Sequence, residues 1–222
     1  MKRYPVPAQQ SRAEIEVLKS RFVATLAPAF SAGEAREFIA RIQAEFGDAS
    51  HHVPAYVIGY GSSVTTHCHD DGEPSGTAGR PALAVLAGSG LGDAVVVVTR
   101  YFGGTKLGTG GLVRAYGDAV RAVLEVTPRA EKVPVHTVML AIPYPAFELV
   151  RLLVAAHSGE VIDESFAADI TMTARFGVAQ FPGFEDSIRE LSRGAWGAEI
   201  IETGEAIVSI GSFGGHTGED IP

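Results

Sequence analysis

A glycine-rich segment between a strand and a helix holds the residues most able to do chemistry. The preceding run, Ala94–Arg100, never alternates with polar residues, which is typical of a strand buried on both faces. Glycine lets backbone N–H groups approach a ligand closely, and a helix N-terminus adds partial positive charge. Lys106 lies in the segment and Arg100 just before it, so the pattern predicts a loop that can hold an anion. The glycines are Gly103, Gly104, Gly108, Gly110 and Gly111.

The spacing of these glycines matches neither of the two common nucleotide-binding motifs. A phosphate-binding Walker loop needs Lys and Ser or Thr after its second glycine, but Thr109 and Gly110 follow Gly108 here. The third glycine of a dinucleotide fingerprint is also missing at its required spacing. Two interpretations therefore stay open, contact with an anion and close packing of the helix on the sheet.

Basic residues are more frequent than acidic ones around this segment. They are Arg80, Arg100, Lys106, Arg114 and Arg121. They indicate a modest basic patch, weaker than that of a dedicated nucleic-acid-binding protein. The alternative is a solvated helix face with Arg114–Asp118 and Arg121–Glu125 pairs, each worth roughly 0.2–0.5 kcal/mol.

A second polar segment precedes the strand and contains the acidic loop residues Asp70, Asp71, Glu73 and Ser75. We expect Asp71 and Glu73 to accept backbone hydrogen bonds in a turn. The neighbouring run His67, Cys68 and His69, with His51 and His52 upstream, has no zinc-ligand spacing. Ser75 lies outside a Gly-x-Ser-x-Gly elbow, and Cys68 has no activating partner beyond its histidine neighbours. We therefore predict no catalytic residue, no metal and no cofactor.

Composition indicates a folded protein of two domains. The chain has 222 residues, of which 46% are hydrophobic and 20% charged, and a net charge of −8. Residues 1–130 contain 13 Lys and Arg against 12 Asp and Glu, whereas residues 131–222 contain 5 against 14. The acidic second half is a poor partner for a phosphate backbone. A single cysteine excludes an internal disulfide framework, and without a signal peptide or long apolar run we expect a cytoplasmic protein that does not enter membranes.

The first half, residues 1–130, alternates strand and helix patterns. Two opening strands (14–17 and 21–26) precede a helix (32–46) that Ser31 and Glu34 begin as a capping box. Further elements are a strand at 56–60, a turn-rich stretch at 65–81, a helix at 81–87, the strand at 94–100 and a helix at about 108–126. The residues that this last helix is predicted to bury are Leu112, Ala115 or Tyr116, Ala119, Val123 and Val126. Residues 127–130 are predicted to be a linker.

The second half, residues 131–211, reads strand 133–142, helix 145–156, strands 159–166 and 169–178, helix 184–193 and strand 198–210. This β-α-β-β-α-β order is that of a ferredoxin-like domain, with two helices on one face of a sheet. Residues 212–222 are predicted to form a flexible tail. The fold class is therefore α+β.

Two long motifs resemble those of the YigZ/IMPACT family. They are DDGEPSGTAGRP (Asp70–Pro81) and VVVVTRYFGGTKLGTGGLVRAYGDAV (Val95–Val120), supported by KSRFVA (Lys19–Ala24). The resemblance covers about residues 14–126, and the remainder is similar to the smaller C-terminal domain of bacterial members. The sequence departs from the family at Thr66–His69, where we expect a basic residue followed by Phe-Ser.

The resemblance implies a fold and a field of function. The first domain should share the fold of the second domain of a small-subunit ribosomal protein and of domain IV of elongation factor G, including a left-handed βαβ crossover. The second should resemble domain V of that factor. Eukaryotic relatives are linked to translational control through a kinase that senses amino-acid starvation.

The leading hypothesis is a non-enzymatic, translation-associated protein. Its first domain would contact RNA or a ribosome-bound partner through the glycine-rich loop and its basic residues. The alternative is an enzyme acting on a phosphorylated small molecule or nucleotide, with Mg²⁺ held by Asp70, Asp71 or Glu73. A third possibility is a translation-control protein as the partner of the motif surface.

Overall fold

The computed structural model describes residues 3–209, which divide into two compact units. Residues 4–130 form the first unit, and residues 131–209 together with Arg3 form the second. The predicted tail, residues 212–222, lies outside the described residues. No helix within residues 3–209 is both long and apolar enough to cross a membrane.

The first unit is built on a five-stranded sheet. After β1 (Tyr4–Pro7), the chain forms β2 (Ser11–Val17), β3 (Ser20–Pro28), α1 (Ala32–Glu45), β4 (His51–Tyr60), β5 (Ser63–Cys68), α2 (Gly79–Gly88), β6 (Ala94–Tyr101) and α3 (Gly108–Val126). The strand order is β2-β3-β6-β4-β5, and each neighbouring pair is antiparallel. Because β3 and β4 are both antiparallel to β6, they run parallel to each other, and α1 connects them as a βαβ crossover. The handedness of that crossover and the implied fold names stay predictions.

The central strand β6 is buried on both faces, as its sequence predicts. Ala94, Val96 and Val98 pack in the core beneath α2 and α3, whereas Val95 and Val97 pack against α1 on the opposite face. Both helix layers therefore depend on β6, which also carries Arg100 at its end.

Local signals predict α1 well. The Glu34 amide donates to the Ser31 hydroxyl (3.1 Å), and the Glu34 carboxylate accepts from the Phe30 amide (2.9 Å). Ala35, Phe38 and Ile42 form the buried stripe. The predicted bond from the Glu34 amide to Ser31 is confirmed. The second bond of the capping box differs, because the Glu34 carboxylate accepts from the Phe30 amide and not from the Ser31 amide.

Three sequence expectations differ from the structure of this unit. Residues 63–68 form the edge strand β5, although residues 65–81 were expected to be turns, because Ala55–Tyr60 offers a free edge for pairing. The strand β1 was not predicted. Val126 is 56% exposed, whereas Leu112, Ala115, Tyr116, Ala119 and Val123 are buried as expected.

The second unit has the predicted β-α-β-β-α-β order. Its elements are β7 (Arg129–Ile142, which begins within the first unit), a 3₁₀ turn (Tyr144–Ala146), α4 (Phe147–Ala156), β8 (Glu160–Phe166), β9 (Ile170–Gly177), α5 (Phe181–Ser192) and β10 (Glu199–Ser209). Strand β7 lies between β10 and β9, and β8 forms the other edge. Inward residues of β7 and β9 pack with α4 and α5 around Phe176 and Phe184, whose rings stack with centroids 4.3 Å apart.

Candidate anion-binding site

The glycine-rich loop joins β6 to α3 and begins by packing tightly on the rest of the sheet. The Phe102 amide donates to the Ser50 hydroxyl (3.2 Å), and the Gly103 amide donates to the Ser20 hydroxyl (3.1 Å). A Cβ at Gly103 would overlap backbone atoms of Lys19 in the β2–β3 turn. Gly103 is therefore a packing residue whose amide is already bonded to Ser20, which differs from the predicted anion contact.

The rest of the loop and the first turn of α3 remain open to solvent. Gly104 and Gly108 have positive φ angles of 84° and 69°, a left-handed backbone that favours glycine. The first turn of α3 has no side-chain cap, because Leu107 occupies the N-cap position. An added Cβ at Gly110 would meet no atom within 4 Å. Uncapped amides at a helix start carry partial positive charge, and contact of this turn with an anion stays a prediction.

A buried ion pair lies beneath this loop. The Arg100 guanidinium donates from Nη1 to Glu73 Oε1 at 2.6 Å, and the two side chains are 6% and 4% exposed. The Tyr116 hydroxyl donates to the same carboxylate oxygen at 2.8 Å. Burial, followed by the charge of Glu73, raises the pKa of Tyr116 far above its ordinary value, so the phenol stays a donor.

This ion pair corrects two predictions from the sequence. Arg100 is not an exposed phosphate contact, because its charge is neutralised by Glu73 inside the unit. Glu73 does not accept turn amides, because its carboxylate points into the core towards Arg100 and Tyr116. The sequence does not predict two further partners of this ion pair. Ser20 accepts from Arg100 Nη2 at 3.3 Å, and Tyr116 donates to Glu73. Helical spacing predicts Tyr116 only as an apolar core residue, and no sequence spacing connects positions 73, 100 and 116.

The other motif carboxylates organise the acidic loop. Asp70 accepts backbone hydrogen bonds from Gly76 (2.8 Å), Ala78 (3.1 Å) and Gly79 (2.8 Å), which fixes the start of α2. Burial alone would raise the pKa of Asp70, but the three amide donors outweigh it and hold that pKa below its usual value. Asp71 accepts from the backbone amide of His52 on β4 at 2.6 Å, so this bond lies outside the turn in which it was expected. Ser75 is exposed on the same loop.

The histidine and cysteine residues take separate structural positions. His67 stacks on Tyr56 with ring centroids 5.2 Å apart, and His69 Nδ1 accepts from the Asp71 amide at 3.0 Å. Burial, with the nearby charge of Asp70, raises the pKa of the Cys68 thiol, so little thiolate is present near neutral pH. Within residues 3–209, no three His, Cys, Asp or Glu side chains meet in a way that could hold a metal ion.

Three predicted cations remain at the surface. Lys106 and Arg80 are exposed and form no ion pair with any residue in the described part of the chain. Arg114 is also exposed and donates to the Gly110 carbonyl (3.4 Å), which keeps it beside the start of α3. Arg121 bonds Asp118 (2.6 Å) instead of the predicted Glu125. The cations near the loop are therefore Lys106 and Arg114, with Arg80 on α2.

A pocket of about 320 Å³ opens between the acidic loop, the glycine-rich loop and α3. Its lining joins residues from both sequence motifs, namely Glu73, Pro74, Arg100, Phe102, Lys106, Leu107, Gly108, Thr109 and Leu112. Phe102 is 51% exposed, so an aromatic ring stands beside the pocket. The site thus combines an apolar cavity, a buried ion pair and a positive helix start within one unit.

These features define a two-unit α+β protein whose first unit carries the site, and comparison with known proteins gives its family. The Impact N-terminal domain matches residues 18–124, and a domain of unknown function (DUF1949) matches residues 140–195. The IMPACT family member YigZ of Escherichia coli (strain K12) is 36% identical over 196 residues, covering 88% of this chain and 96% of the relative. An IMPACT family member of Haemophilus influenzae is 37% identical over 206 residues, covering 92% of this chain and all of the relative.

The chain belongs to the IMPACT family. A crystal structure described as that of a hypothetical protein is also similar, with 35% sequence identity and a TM-score of 0.61 over 91% of this chain and 98% of that one. The resemblance drawn from the two motifs is confirmed, and the second motif includes the strand, loop and helix that build the site.

Proposed function

We propose that this protein acts in translation as a non-enzymatic cytoplasmic regulator, and that its first unit contacts RNA through residues 102–114. One observation carries the proposal. The uncapped start of α3 lies next to the exposed Lys106 and the half-exposed Phe102 ring. Single-stranded RNA is bound by cations that follow its backbone and by aromatic rings on which bases stack, and this segment supplies both.

The geometry favours this function over the magnesium-dependent alternative. Asp70 binds three backbone amides, Asp71 binds the His52 amide, and Glu73 binds Arg100 and Tyr116. A shared magnesium ion would need at least two of these carboxylates to turn towards one point. Their existing bonds direct them to three different parts of the unit.

The proposal is tested by measuring the anisotropy of a labelled single-stranded RNA of about 16 nucleotides as salt is raised from about 50 mM. Lys106→Ala should weaken binding and lower the slope of log K against log salt by roughly 0.7, the contribution of one phosphate contact on a single strand. Arg36→Ala is the matched control, since Arg36 is an exposed cation on α1, across the sheet. Absence of binding at about 50 mM salt would refute the proposal, as would equal effects of the two substitutions.

A further inference from the structure

The pocket beside the glycine-rich loop has the walls of a site for a flat ring. Pro74, Leu107 and Leu112 supply apolar surface, and Phe102 supplies an aromatic face next to them. The Arg100 guanidinium lies over the Phe102 ring, 5.6 Å from its centroid. A volume of about 320 Å³ is at the small end of the range for ligand sites, which suits one ring system and its attached group.

One residue of the same wall, Arg100, has a buried polar group with unused bonding capacity. Both side-chain hydrogen bonds of Glu73 use Oε1, so within residues 3–209 Oε2 has no hydrogen-bond partner. Arg100 bonds through Nη1 and Nη2, and its buried Nε has no partner in the described structure. The unpartnered buried donor of this pair is therefore the Arg100 Nε–H. Leaving this group unsatisfied costs stability, which a ligand with a hydrogen-bond acceptor would recover.

The mouth of the pocket is positively charged. Lys106 lines it together with Gly108 and Thr109 from the first turn of α3. Because Glu73 neutralises Arg100, the charge offered to a ligand comes from Lys106 and the helix start. An anionic group is therefore favoured at the mouth and a neutral ring inside.

We propose that this pocket binds one nucleotide, with its base against Phe102 and Leu112 and its phosphate at Lys106 and the start of α3. Nucleobases carry hydrogen-bond acceptors along their edges, and one of these would satisfy the buried Arg100 Nε–H. The inference rests on the proposed function and makes it more specific, because the nucleotide can be one unit of an RNA strand. A free nucleoside monophosphate has the same chemistry and is the alternative source of the bound nucleotide.

The experiment compares pocket-filling with a matched substitution outside the pocket, using the full chain. Thr109→Phe places a ring in the pocket from an exposed position, whereas Thr105→Phe adds the same ring to the same loop at a residue that does not line it. Calorimetry measures binding of the four nucleoside 5′-monophosphates, their nucleosides and inorganic phosphate, and anisotropy measures single-stranded RNA. We expect at least one monophosphate to bind about tenfold more tightly than its nucleoside. Thr109→Phe should weaken that binding about tenfold or more, and Thr105→Phe should leave it within about twofold.

The outcomes separate this inference from the proposed function. If RNA binds in a Lys106-dependent manner but no monophosphate binds, the pocket inference is overturned and the RNA contact stands. If a monophosphate binds and Thr109→Phe weakens it while RNA fails to bind, the pocket inference stands with a free nucleotide as its source. Binding that Thr109→Phe does not affect overturns the inference, as does absence of all binding. Phe102→Ala provides a second variant, because removing an exposed ring leaves the core intact and should weaken the monophosphate by a similar factor.

Discussion

Glu73→Gln tests the buried ion pair on which the arrangement of the site depends. The substitution preserves the size of the side chain but leaves the Arg100 guanidinium, 6% exposed, without a counter-charge. Removing one partner of a buried pair costs about 3–5 kcal/mol. The Gln oxygen can still accept from Arg100 and Tyr116, so we expect the lower end, about 3 kcal/mol. For a unit of this size, that loss lowers the melting temperature by roughly 10 °C.

Thermal unfolding followed by far-ultraviolet circular dichroism measures this loss, and hydrogen exchange of β6 peptides locates it. Glu37→Gln is the control, since Glu37 is exposed on α1 and its substitution should change stability by less than about 0.5 kcal/mol. The double variant Glu73→Gln with Arg100→Met removes the unpaired charge and should recover most of the loss. If Glu73→Gln unfolds within about 0.5 kcal/mol of the unsubstituted protein, the reasoning about the pair is wrong.

Three further substitutions and one chemical modification each have an expected effect whose direction follows from the structure. Asp70→Ala removes three amide bonds and should cost about 1–2 kcal/mol at neutral pH, measured by urea unfolding. Because the fold lowers the pKa of Asp70, its contribution is present above the unfolded pKa of about 3.9, and it is lost as pH falls through the lowered folded value. Gly103→Ala should destabilise by about 2–3 kcal/mol through overlap with Lys19, whereas Gly110→Ala should stabilise by about 0.5–1 kcal/mol, both by urea unfolding. Alkylation of Cys68 by iodoacetamide at pH 8 should be slower than that of free cysteine, since burial raises the pKa of its thiol.

Each of these expectations has a contradicting result. A stability difference between Asp70→Ala and the unsubstituted protein that grows on acidification would reverse the sign derived for the carboxylate. Equal effects of alanine at 103 and 110 would show that the loop does not pack on the β2–β3 turn. Alkylation of Cys68 faster than that of free cysteine would mean an activated thiol.

The sequence predicts this structure best where a local pattern decides it. The apolar run at β6 and the Ser31–Glu34 cap each depend on residues close in the chain, and both were confirmed. The edge strand β5 was missed because it is exposed along most of its length and contains polar residues. Its pairing with β4 supplies the stabilisation that its own pattern lacks.

The sequence predicts which segments form the site, but it does not predict the side-chain contacts between them. The glycine-rich loop and the acidic loop were both identified from composition, and the structure joins them in one pocket. The roles of Arg100 and Glu73 could not be predicted, because an arginine at a strand end has the same sequence signature whether it faces solvent or a carboxylate 27 positions away. Burial in three dimensions decides between these cases.

The position of β6 in the sheet also determines when the first unit can fold. This strand pairs with β3 and β4, so Phe22 lies beside Arg100 and Ala94 beside Val57. Contacts of such sequence separation require closure of long loops, which slows folding. During synthesis, β3 and β4 cannot pair with β6 until residue 101 has been added. Over that interval their unpaired edges can associate with other chains and aggregate.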